Sequence, residues 1–131
     1  MLNSLVVFTE IDHNFVNPVS DKFMADINKA FTNRKIWVKA GTNGTDMYGS
    51  EYAVFNEYMT FGMYSLYCMD NFKKADVDVA VGKMERLMSR GRGFINFAAF
   101  NQQLIAYYKQ NSQGNMNDLY QRMLEWCLKQ G

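Results

Sequence analysis

Polar and apolar positions alternate along most of this chain with the period of a helix. Leu2, Leu5, Val6, Thr9, His13 and Val16 occupy the i, i+3, i+4 positions of a single helix face. Asn3 or Ser4 suits the N-cap, and Asn17, pushed out of helical geometry by Pro18, ends the helix. Asn17 can then cap a second helix with Pro18 in its first position. Its inward face is Val19, Phe23, Met24, Ile27, Ala30 and Phe31, with Asp21 and Lys29 placed to suit the helix dipole. Ile36-Trp37-Val38 reads as an irregular, extended packing segment, because a lone strand has nothing to pair with. Gly41, Asn43-Gly44, Asp46 and Gly49 mark a loop from Ala40 to Gly49.

A long third helix is expected from Ser50, its N-cap, to about Phe72. It is apolar on more than one side, through Tyr52, Phe55, Tyr58, Met59, Phe61, Met63 and Leu66, so it is expected at the centre of the fold. Glu57 falls inside this aromatic run, where a carboxylate needs a partner, a proton or a bound group. The plainer readings are a hydrogen bond to a neighbouring tyrosine or exposure on a polar edge.

A fourth helix begins at Asp76 or Asp78, turns Val77, Ala80, Val81, Met84, Leu87 and Met88 inward, and is capped by Gly91. Arg90-Gly91-Arg92-Gly93 reads as a turn with solvated arginines. A fifth helix from about Phe94 carries Phe97, Ala98, Asn101, Leu104, Ile105 and Tyr108 on one face. The last, about Met116 to Lys129, buries Leu119, Tyr120, Met123, Leu124 and Cys127, with Trp126 at its edge. About six helices with short links, and neither heptads nor repeats, predict an all-α domain over residues 1–131. Its form is an irregular or orthogonal bundle.

Composition adds limits. At 48% hydrophobic residues the 131-residue chain has enough apolar surface for one core, which argues against disorder. A net charge of +1 gives no global field to attract nucleic acid or an acidic membrane. Leu5-Val6-Val7-Phe8 is too short for a membrane span and lacks the basic start of a signal peptide. Cys68 and Cys127 are unclustered and sit in apolar helical patterns, so they are expected as buried thiols. The ten methionines are expected to fill gaps between helices.

Candidate chemistry is concentrated in Phe8-Thr9-Glu10-Ile11-Asp12-His13-Asn14-Phe15-Val16-Asn17-Pro18. With histidine at position 9 this would be H-E-x-x-H, in which two histidines one turn apart hold zinc and the glutamate takes a proton from metal-bound water. Thr9 stands at the first ligand position, and its hydroxyl is a poor zinc ligand. The stretch from Val7 to Pro18 resembles an uncharacterised bacterial family of zincin-like zinc metallopeptidases, which carry H-E-x-x-H followed closely by Asn-Pro. Softer resemblance lies around Glu57 and around Arg92-Gly93-Phe94. The resemblance implies Glu10 as the general base, His13 as a metal ligand, and Glu57 as a further ligand from a later helix, with Glu51 in reserve. It also implies that the chain corresponds to the C-terminal, helical half of a zincin, exported if it belongs to a longer family member.

Three functions follow. The first is a zincin-derived helical domain without catalysis that binds a peptide or protein, no zinc being expected with Thr9 in place. The second is an active zinc metallopeptidase whose missing ligand comes from sequence outside this chain or from another chain. In it Tyr52, Tyr58 or Tyr64 would supply the phenol that steadies the oxyanion. The third is a helical interaction module unrelated to zincins. With no second histidine, the plainer reading of His13 as a hydrogen-bonded core residue takes precedence over ligand, and that of Glu10 is a solvated helix carboxylate.

Overall fold

The computed structural model describes residues 18–41, 49–110 and 115–130. The first expected helix, with Thr9, Glu10, Asp12 and His13, lies outside the described residues, as does the Asn43-Gly44 turn. Among the described residues every regular element is helical, as the periodicity predicts. Residues 18–22 are helical and lead through a turn at Phe23 into α1, Met24–Ala30. A single turn, α2, spans Arg34–Trp37. The long α3 runs Glu51–Asn71 and α4 runs Lys74–Arg86. A π-helical turn, Leu87–Gly91, continues α4, and α5, Phe97–Gln110, and α6, Met116–Leu128, complete the bundle.

Helix α3 is the axis of the molecule and packs against α1, α4 and α5, while α6 bridges α1 and α5. Ser50 accepts a hydrogen bond from the Ala53 N–H at 3.1 Å, the expected cap. Phe55, Tyr58 and Met59 are fully buried, each worth about 2 kcal/mol of burial. Tyr58 is the hub. Its ring meets Phe31, Trp37, Phe94 and Phe100 edge to face, at centroid distances of 5.1 to 5.8 Å. Trp37 stacks on Phe31 at 4.2 Å.

Gly62 is what lets α5 come close. A Cβ built there would lie 2.5 Å from Leu104 Cδ2 and 3.5 Å from Phe100. No helix among the described residues is long and apolar enough to cross a membrane. Both cysteines are buried free thiols, and burial pushes each above its usual pKa.

Several local expectations are corrected. Ile36-Trp37-Val38 is not wholly irregular: Trp37 closes a helical turn and only Val38 is extended. Met24, inward by the sequence pattern, is exposed, because the turn at Phe23 resets the helix phase. Ser20 is buried instead, within 3.1 Å of the Tyr120 hydroxyl. Leu87 is also exposed, since the π turn starts there and rotates it off the inward face while Met88 stays buried. The fourth helix starts at Lys74, before either aspartate, and the fifth at Phe97. The left-handed glycine after α4 is Gly93, at φ 85°, where Gly91 was expected as the cap.

Candidate functional site

The site begins with adjacent residues of α3. Glu57 is buried, and Arg92 Nη1 stands 3.1 Å from its Oε2. The Arg92 guanidinium also lies 5.2 Å from the Phe61 ring centroid and 4.9 Å from that of Phe94. Its Nη1 reaches Met88 Sδ at 3.4 Å. Arg92 is therefore a packed ion-pair partner, which corrects its reading as a solvated turn arginine.

The π turn puts it there. The Arg92 N–H closes the wide turn onto the Leu87 carbonyl at 2.9 Å, and the Phe94 N–H reaches the Met88 carbonyl at 2.9 Å. Gly93, in the left-handed region, then offers its carbonyl to the Lys39 N–H at 2.8 Å. The next residue of α3, Tyr58, donates to the Trp37 carbonyl and accepts from the Asn96 N–H at 3.2 Å. Two neighbouring α3 side chains thus clamp one segment, residues 92–96. Glu57 and the Arg92-Gly93-Phe94 turn meet at this clamp.

A guanidinium 3.1 Å from the carboxylate competes with a metal ion for the same oxygen. As placed, Glu57 is the ion-pair partner of Arg92. Among the described residues no group of three or more histidines, cysteines or acids gathers to hold a metal. Glu51 does not substitute for Glu57 in the same place. It is six residues earlier on α3, so about 9 Å away along the axis and on another face.

The three candidate phenols also go to separate places. Tyr52 donates to Asp21 Oδ1 at 2.7 Å. Tyr58 is enclosed in the core and burial drives its pKa well up. Tyr64 is buried and interacts with Cys68, and burial with that contact pushes its pKa up to about 12. Glu10 and His13 lie outside the described residues.

Two clefts flank the C-terminal half of α5. One, of about 210 Å³, opens between α3, α5 and α6 and is lined by Tyr67, Asp70, Tyr107, Tyr108, Asp118 and Arg122 over an apolar floor. In it Tyr108 donates to Asp70 Oδ2 at 2.7 Å. The other, of about 310 Å³, lies between α3, α4 and α5 and carries Lys74, Asp78 and Lys109 at its rim.

The Arg92 partnership had only a general signal in the sequence: a buried acid demands a partner, and nothing singled out Arg92 among the cations. The clefts had none, since no spacing ties Asp70 to Tyr108. No family model matches the chain, and neither a curated protein nor a solved structure matches it.

Proposed function

We propose that this chain is a zincin-like helical domain that binds a peptide or partner chain and does not hydrolyse it. The observation that carries this reading is the ion pair at Glu57. The described residue that would have served as a zinc ligand is held by Arg92, and Thr9 leaves the first ligand position without a good donor. The zincin-like part of the reading rests on the resemblance of Val7 to Pro18 in the sequence. Binding draws support from the clefts on either side of α5, each with an apolar lining and a few charged groups.

Selection of random peptides displayed on phage against the immobilised protein tests this. The expected result is a family of binders with a shared pattern. Leu119→Trp, which fills the cleft between α3, α5 and α6, should weaken those binders about tenfold, or 1.4 kcal/mol. Absence of any convergent family, or binders indifferent to Leu119→Trp, would overturn the reading.

A further inference from the structure

The cleft between α3, α5 and α6 has a definite chemistry. Its volume of about 210 Å³ lies below the roughly 300–1,000 Å³ of sites that enclose a whole small molecule. It accommodates part of a ligand, such as one long side chain. Three tyrosines, Tyr67, Tyr107 and Tyr108, contribute to its walls, and its charged lining is two acids, Asp70 and Asp118, against one base, Arg122. The Tyr108 hydroxyl holds the Asp70 carboxylate at 2.7 Å. That bond, burial and the neighbouring charge raise the Tyr108 pKa, so the phenol remains a donor at neutral pH. Arg122 already rests its guanidinium 5.8 Å from the centroid of the Tyr107 ring. The surface therefore accepts a cation from its own chain. The second cleft differs, since its lysines outnumber its single acid.

We infer that this cleft is a recognition pocket for a basic side chain, the lysine or arginine of a bound peptide. The inference rests on the peptide-binding reading above. The aliphatic stem would lie along Met63, Leu66 and Leu119, and the charged head would meet Asp70, Asp118 and the tyrosine faces. Arg122 competes for the same surface, so its removal strengthens binding where loss of a merely structural residue would not.

The test is a ¹H–¹⁵N chemical-shift titration of the full chain with three probes: the N-acetyl methylamides of lysine, arginine and norleucine. The lysine and arginine probes should shift the amides around Asp70, Tyr108 and Arg122 saturably, and norleucine, which keeps lysine's four-carbon stem but lacks its charged head, should bind about fivefold more weakly. Asp70→Asn, an exposed change, should cost the lysine probe about fivefold, and Arg122→Ala should tighten it about threefold. Equal binding of norleucine, shifts confined elsewhere, or no effect of either variant would overturn the assignment. Peptides selected on the protein that occupy the cleft without a basic residue would overturn it while leaving peptide binding intact. A lysine probe that binds while no peptide is ever selected would overturn the proposed occupant and the peptide reading together.

Discussion

Whether Glu57 is a structural or a chemical acid turns on what stands beside it. Its partner's side chain is 23% exposed and its own only 6%, so the pair is set in the protein with one end reaching water. Removing either partner strands a charge at low dielectric, whereas replacing both does not. Glu57→Ala and Arg92→Ala should each cost about 3 kcal/mol, measured by urea denaturation. Glu57→Leu combined with Arg92→Met should cost less than either. Additive losses would show that the two groups do not depend on each other.

The buried phenols and thiols make a second prediction at this scale. Tyr64 is shifted from 10.0 to about 12 by burial and by Cys68, and burial also raises Tyr58, Cys68 and Cys127. These groups stay protonated in the fold and ionise at ordinary values when unfolded. The folded state therefore holds more protons at high pH, and stability falls as pH rises. The loss should begin above the ordinary thiol value of 9.0 and steepen from 10.0 toward 12 as the tyrosines join. Tyr64→Phe should flatten the steeper part. A urea midpoint constant from pH 8 to 11 would contradict this.

At the scale of elements, close approach and chain reversal depend on two glycines. Gly62→Ala forces a methyl against the buried Leu104, an overpacking worth about 1–3 kcal/mol. Gly93→Ala puts a Cβ into the left-handed region at φ 85°, costing about 1–2 kcal/mol, and loosens the clamp on residues 92–96. Both are read as falls in thermal midpoint, and an unchanged midpoint for Gly62→Ala would mean that α3 and α5 tolerate separation. The helices themselves were legible in the sequence, because α3, α5 and α6 carry long apolar periods and Ser50 is a capping type with a bond to match; the cap that Asn115 supplies to α6 shows only in the structure. Departures came where tertiary geometry overrode local pattern. The π turn moved Leu87 outward, the turn at Phe23 rephased Met24, and stacking on Phe31 drew Trp37 into a helical turn. Sequence marked Glu57 as out of place but not its partner, because Arg92 is 35 residues away and only the packing of α4 against α3 and α5 joins them.

At the scale of the whole molecule, the described residues form an all-helical bundle with Glu57 tied to Arg92 and clefts on either side of α5. The proposed role of this chain is binding without hydrolysis. On the proposed zincin-like reading, Thr9→His should raise zinc affinity at least tenfold in a competition titration, about 1.4 kcal/mol. The most direct measurement is the zinc content of protein purified without chelator, taken together with a peptide-hydrolysis assay on the same sample. The account predicts well under one zinc per chain and no turnover. One zinc per chain, with peptide cleavage abolished by Glu10→Gln, would contradict it.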